Sequence, residues 1–367
     1  FGKLNEKTGP YQGLKVMEAR ARVVEDLQVK GLIEKIDADY THNVLVNYKN
    51  DNDILEPRVI PQWYIKMAPL AEMAKQAVED GRINFVSEQY KKIFFHWLSE
   101  LRDWNISRQI VWGIPIPAWF RDGEIKIQEE SPGDTWEKDP DTFDTWFSSG
   151  QWPFATLGYP DNKDFKTFYP TSVMETGYDI LFFWVMRMIM LGLYRTGEVP
   201  FKDVYLHGLV RDADRQKMSK SKGNVINPLA MTEVYGTDAL RMALLVGNTP
   251  GQDMALAEPK IKAYKLFSNK LWNIARFVME STQEAADTSA ITSPRDQELL
   301  AEFKKLVVDV TADMENYRVY LAAEKLYHYL WDTFAAVVIE ESKNLFKDGD
   351  ETAQASRRHF LMHVLTE

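Results

Sequence analysis

The stretch "FYPTSVMETGYDILFFWVMRMIMLGLYRTGEVPFKDVYLHGLV" (168–210) decides the fold. It opens as a strand, "FYPTSVMETG", and closes on a second strand, "DVYLHGLV". The segment between them, "DILFFWVMRMIMLGL" (179–193), carries Arg187 and falls short of the ~20 residues that a membrane span needs. It reads as a buried helix. Strand, helix, strand with a crossover is the pattern of a doubly wound parallel α/β sheet. Such sheets bind ligands beyond the carboxyl ends of their strands, where the loop at 211–224 would sit.

Most of that loop falls in "DRQKMSKSKGNVINP" (214–228). Arg215, Lys217, Lys220 and Lys222 fall within it, and no acid stands between Asp214 and Glu233. Ser219, Ser221 and Gly223 lower the barrier between backbone conformations, and lysines are point charges on long stems. A triphosphate losing pyrophosphate gathers charge on its bridging and terminal oxygens, which cations on a mobile loop can neutralise. The Walker pattern GxxxxGK[ST] is absent. By composition alone the stretch reads as a solvated surface turn.

Working outward, residues 1–62 hold a helix, "LKVMEARARVVEDLQVKGL", closed by Gly31. Strand-like pieces "THNVLVNY" and "EPRVIPQWYIKM" follow, around a polar turn at Lys49–Asp53. Two amphipathic helices broken at Gly81 occupy 69–104, then a strand-like "WNISRQIVWGIPIPAWF" (104–120) and a hairpin, "RDGEIKIQEE". Past the loop comes the helix "DALRMALLVG", and after Pro259 the pattern is helical to the end, which predicts a bundle.

The chain of 367 residues has room for two or three domains at ~100–200 residues each. Its 45% hydrophobic and 27% charged content fits a folded, soluble protein, and its net charge of -10 argues against a general nucleic-acid binder. It has no cysteine, which excludes disulfides and thiolate zinc sites. Among six histidines only His359 and His363 stand at i, i+4, on what reads as a solvated helix face. The opening residues do not read as a signal or transit peptide. It starts at Phe1 and stops within a helical pattern, so we expect a piece of a longer protein.

KMSKS, Lys217 to Ser221, after a strand bearing "HGLV" and before "GN", is a signature of class I aminoacyl-tRNA synthetases. The chain resembles their valyl, isoleucyl and leucyl group in "WNISRQIVWGIPIPAW", "DTWFSS" (144–149), "WPFATLGYP", "PFKDVYLHGLV", "YGTDALRMAL" and "LFSNKLWNIARF". "ETGYDILFFWVMRMIMLG" (175–192) looks valyl, where isoleucyl enzymes carry a polar run, and "GNTPGQDMAL" (247–256) also resembles the valyl pattern. "GIPIP" (113–117) leans to the isoleucyl side, since valyl enzymes often read GHRIPAW there.

The resemblance implies the second half of a Rossmann-like catalytic domain at 63–258, with the end of an editing insertion at 1–62 and the start of a helical anticodon-binding domain at 259–367. The implied reaction forms an aminoacyl-adenylate from valine and ATP, with Mg2+, and passes valine to its tRNA. Lys217 and Lys220 would act on the phosphates, with Met218, Ser219, Ser221, His207 and Gly208 as ATP neighbours and Asn224 and Val225 closing the loop. Trp146, Asp179, Ile180 and Trp184 would form the amino-acid pocket. Ile180 and Trp184 share a face at i, i+4, and Thr176 with Asp179 fits a capping box. Lys260, Lys262, Lys265, Lys270 and Arg276 would track tRNA phosphates, although a solvated helix face explains much of that run.

Many relatives bind zinc where this chain has "YKNDNDI" (48–54), so no zinc is expected. The HIGH signature of the first half-sheet is absent, as is the acidic editing signature, so the isolated piece is expected to be inactive. A cytoplasmic location without membrane attachment goes with the resemblance. The alternatives are an isoleucyl enzyme, or a nucleotide- or tRNA-binding module with no activity of its own.

Overall fold

A computed structural model describes residues 2–37, 39–41, 43–47, 53–55, 59–219, 222–282 and 290–367. The chain divides into two compact units, Phe1–Pro61 and Gln62–Glu367. In the first, helix α1 (Val16–Val29) ends before Gly31, which takes the left-handed conformation at φ 66 that glycine adopts without strain. Strands β1 (Val46–Asn47) and β2 (Asp53–Ile54) pair antiparallel. His42, all but Asp53 of the predicted turn at Lys49–Asp53 and most of "YKNDNDI" lie outside the described residues.

The second unit is built on the crossover. Strands β4 (Thr171–Gly177) and β5 (Phe201–His207) run parallel from the pair Thr171–Phe201 to the pair Gly177–His207. β3 (Asn84–Phe85) joins β5 on its other side, also parallel. The connecting segment is less uniform than a helix over 179–193. It is a 3-10 turn (Tyr178–Ile180), a π turn (Leu181–Val185) and then an α-helix, Met186–Thr196, ended by a left-handed Gly197. Met186, Met188, Ile189 and Met190 are buried in one core with Val204 and Leu206 of β5 and with Ala74 and Val78 of the helix Ala68–Glu79. Each large apolar side chain so buried contributes about 1.5–3 kcal/mol.

Three expectations are corrected. Thr176 and Asp179 form no capping box, because β4 continues through Gly177 and pairing with β5 satisfies the Thr176 backbone. "WNISRQIVWGIPIPAWF" is several short pieces, since Gly113, Pro115 and Pro117 break a ladder. Trp104–Asn105 pairs with Tyr64–Ile65, and Ser107–Arg108 pairs with Thr142–Phe143. His359 and His363 do not lie on a solvated face. Their helix, Glu351–Thr366, buries Arg357, Phe360 and Leu361, both histidines are half-buried, and the His363 ring stands 5.9 Å from Phe303. The hairpin behaves as read: Asp122 and Gly123, both at positive φ, turn Ala118–Arg121 back onto Glu124–Ile127.

The helical region contains Glu258–Thr282, Pro294–Glu315, Val319–His328, Ile339–Asp348 and Glu351–Thr366, with a π stretch at Tyr329–Val338. Its core gathers Val278, Phe334, Val338, Phe360 and Leu361. The Tyr317 hydroxyl donates to Asp203 Oδ2 at 2.8 Å and so ties this region to β5. No helix among the described residues is long and apolar enough to cross a membrane.

Candidate nucleotide and amino-acid site

The carboxyl ends of β4 and β5 bring Gly177 and His207 side by side. A Cβ on Gly177 would stand 2.8 Å from Asp179 Oδ1 and 3.6 Å from His207 Cε1, so the two predicted site residues converge on that glycine. His207 Nε2 lies 3.3 Å from Glu175 Oε1, a neighbour that single-residue reading missed. Gly208 has a packing reason of its own, because a Cβ there would collide with the Gln252 carbonyl. Segment 251–253 crosses over it, held by Asp253, whose Oδ1 accepts from the Leu209 amide at 2.8 Å and whose Oδ2 pairs with Arg211.

The cationic loop leaves this crossing. Val210–Arg211 pairs parallel with Met254–Ala255, and Arg211 bridges to Lys217 across the loop base. Asp212 and Asn224 close the base. Asp212 Oδ1 accepts from the amides of Asp214 (3.1 Å) and Gln216 (2.7 Å), and its Oδ2 accepts from Asn224 Nδ2 at 2.7 Å. The Asn224 bond is the main reason the Asp212 carboxyl sits below its ordinary pKa. Asn224 Oδ1 in turn accepts from the Ser219 amide at 2.9 Å. Arg215 takes a left-handed φ of 60, and Lys217 and Lys222 are exposed, while Met218 and Ser219 are half-buried. Lys220 and Ser221 lie outside the described residues.

Two of the predicted pocket residues meet on one short helix, Thr145–Ser149. Trp146, half-buried, stacks on Phe183 at 5.7 Å, and Trp184 Nε1 donates to the Ser149 carbonyl at 2.9 Å. Ile180 is half-buried at the end of the 3-10 turn, and Asp179 is exposed. Sequence reasoning missed what lies beneath. Asp144 is 5% exposed, and its Oδ2 accepts from Trp104 Nε1 at 2.9 Å and stands 2.9 Å from Arg108 and 3.7 Å from Arg187. The Arg187 guanidinium lies 3.8 Å above the Trp104 ring. Burial brings its pKa down to about 10, against the opposing pull of Asp144. This cluster floors an open cavity of about 700 Å³ that Trp146 and Phe183 also line.

Of the predicted tRNA contacts, two are committed to the fold. Lys260 Nζ donates to the Val246 carbonyl at 3.0 Å and Lys265 Nζ to the Val234 carbonyl at 2.7 Å, each at the end of a preceding helix. Lys270 sits 4.8 Å over the Trp331 ring. Lys262 and Arg276 are exposed on the helix Glu258–Thr282, Arg276 within 3.9 Å of Glu280. Trp272, 75% exposed, lies on the same helix. Among the described residues no group of three or more His, Asp or Glu is placed to hold a metal ion.

Residues 13–132 and 124–257 match the family model "tRNA synthetases class I (I, L, M and V)", and 296–367 match "Anticodon-binding domain of tRNA ligase". The chain is 43% identical to a valine–tRNA ligase of Geobacillus stearothermophilus, over 99% of this chain and 42% of that protein. It is likewise 43% identical to one of Clostridium acetobutylicum, over 100% and 43%. It therefore spans about two fifths of the length of the curated relatives it matches. Mycobacterium tuberculosis methionyl-tRNA synthetase with methionyl-adenylate shares the fold at a TM-score of 0.67 and 22% identity, over 82% of this chain and 57% of that one. A ternary complex of Agrobacterium radiobacter K84 agnB2 LeuRS with tRNA and LeuAMS gives 0.53 and 22%, over 76% and 43%.

Proposed function

The chain belongs to the class I tRNA synthetases of the isoleucine, leucine, methionine and valine group, and from that premise we propose that it is part of a valine–tRNA ligase. The observation that carries the reading is the cationic loop, tied off by Asp212 and Asn224 immediately beyond the carboxyl end of a parallel strand. That is where an open α/β sheet offers a ligand site. Identity to valine–tRNA ligases along nearly the whole chain supports valine over its neighbours. "GIPIP" (113–117) favours isoleucine as the second reading.

In the proposed reaction a valine carboxylate oxygen attacks the α-phosphorus of ATP. A carbonyl–O–phosphorus bond forms, the α–β phosphoanhydride breaks, and pyrophosphate leaves as an anion. Little proton transfer is required, so the protein's task is placement and charge. Lys217 and Lys220 neutralise the departing phosphates, while Met218, Ser219 and Ser221 shape the loop around them. His207 and Gly208 lie beside the adenosine. Trp146, Ile180 and Trp184 wall an apolar slot for the valine side chain, and Asp179 helps to place the substrate. Magnesium would accompany the triphosphate and offset its charge.

β4 has one neighbour strand among the described residues, and Val173 and Glu175 are exposed on it. An edge strand leaves a row of unpaired backbone groups, and the other half of the sheet would pair with β4 there. The catalytic half is assigned to 63–258, the end of an editing insertion to 1–62 and the start of an anticodon-binding domain to 259–367. Lys262 and Arg276 are the best placed cations for tRNA, with Lys270 behind them. The location proposed is the cytoplasm.

ATP–pyrophosphate exchange by the complete enzyme tests the reading. Valine should support exchange at far lower concentration than isoleucine or threonine, and a preference for isoleucine would overturn the choice of amino acid. Residues 1–367 alone should neither activate valine nor deacylate threonyl-tRNA. Measurable hydrolysis above a no-enzyme control would place editing chemistry within this chain.

A further inference from the structure

We propose that Asp144 is a positioning residue that fixes Trp146, and with it the fit of the amino-acid side chain, and that Arg187 holds Asp144 in place. The inference rests on the reading of Trp146 as a pocket wall. Both carboxylate oxygens of Asp144 are committed. Oδ1 accepts from the Trp146 amide at 3.3 Å and so caps the helix Thr145–Ser149. Oδ2 accepts from Trp104 Nε1 at 2.9 Å and neutralises Arg108 and Arg187.

Those partners come from separate parts of the chain, so the carboxylate joins the 104–108 segment and the crossover helix to the start of the Trp146 helix. The far end of that helix is held by Trp184 Nε1 on the Ser149 carbonyl. One wall is thus pinned from both ends, and each pin involves the segment that follows β4.

The charge count gives Arg187 its part. Two guanidiniums share one carboxylate, Arg187 is 8% exposed, and its Nη1 has no hydrogen-bond acceptor. Its plane lies over the Trp104 ring 3.8 Å away, which orients the indole N–H that Asp144 receives. A buried cation this short of acceptors makes any rotation of the Asp144 carboxylate costly. It therefore stiffens the cap on Trp146.

Asp144→Asn in the complete enzyme offers one acceptor oxygen where the cluster uses two, so either the Trp146 cap or the Trp104 bond is lost. We expect the valine KM in pyrophosphate exchange to rise about tenfold, with the ATP KM within about twofold of the parent. Asp144→Asn combined with Arg187→Met removes the orphaned charge. It should recover thermal stability while the valine KM stays raised, and it decides the matter if the single variant does not fold. Recovery of the valine KM in the double variant, equal rises for ATP and valine, or no rise at all would overturn the inference.

A substrate-free readout separates this from the functional reading. The near-UV circular dichroism difference between the enzyme and its Trp146→Phe variant reports the setting of that indole. Asp144→Asn should abolish the difference, and an unchanged difference would overturn the inference whatever amino acid the enzyme uses. Absence of valine-dependent exchange in the unaltered enzyme would defeat the functional reading alone.

Discussion

Arg187 in the crossover between β4 and β5 and Arg357 in the helical region are both buried against an aspartate, and their surroundings differ. Arg357, 3% exposed, gives Nε to Asp296 Oδ1 at 2.5 Å, Nη1 to Ser342 Oγ at 3.1 Å and Nη2 to Glu341 at 3.4 Å. Asp296 and Ser342 are fully buried, Glu341 stands partly exposed at the edge of the network, and Asp296 Oδ2 has no hydrogen-bond partner. Arg187 has one carboxylate at 3.7 Å, shares it with Arg108 and Trp104, and faces a cavity. The same pair of residue types therefore does two jobs. Spread over several acceptors, it locks helices together; short of acceptors at a cavity wall, it makes a neighbouring group sensitive to small displacements.

The largest expected effect tests the Arg357–Asp296 pair. Asp296→Ala leaves Arg357 without its main counterion and should cost about 3–5 kcal/mol in urea unfolding, with the valine KM unchanged in the protein that remains folded. A loss under about 1 kcal/mol would erase the distinction between the two arginines. Lys220→Ala should do the reverse. Adenylate formation should slow by ~100- to 1,000-fold, about 3–4 kcal/mol, with stability and valine binding little altered. Equal losses in rate and valine affinity would make the loop structural.

Smaller changes sharpen the contrast. Trp184→Ala removes a proposed pocket wall and the bond to Ser149, and should raise the valine requirement about 10- to 100-fold while ATP binding holds. Unaltered valine kinetics would return Trp184 to the core. On the helix Glu258–Thr282, Lys262→Ala should weaken tRNA binding only severalfold and lower the slope of log K against log salt by about 0.7–0.9. Lys260→Ala should leave that slope alone and lower thermal stability instead, because its ammonium serves the Val246 carbonyl. Identical slopes for the two variants would refute this division of the lysines.

The parts legible in the sequence were those whose signal is local. The crossover of 168–210 announced parallel strands because a strand, a buried helix and a second strand follow one another directly. The Asp122–Gly123 turn and the Gly31 and Gly81 helix stops were readable because positive φ belongs to few residue types. Lys217 to Ser221 could be singled out because five residues of one motif stand together after a strand.

What the sequence by itself determined was therefore the order of elements, the family resemblance and the charge of the loop. Tertiary structure alone decided which groups meet. Asp144 joins Trp104, Arg108 and Arg187, and Asp253 reaches back to Arg211. The backbone at Gln252 dictates Gly208, and Lys260 and Lys265 turn inward to helix carbonyls. The physical reason is that helix and strand signals repeat over a few residues of one segment. A buried charge is satisfied by whichever partner the packed chain brings within hydrogen-bond distance, however far away it lies in sequence.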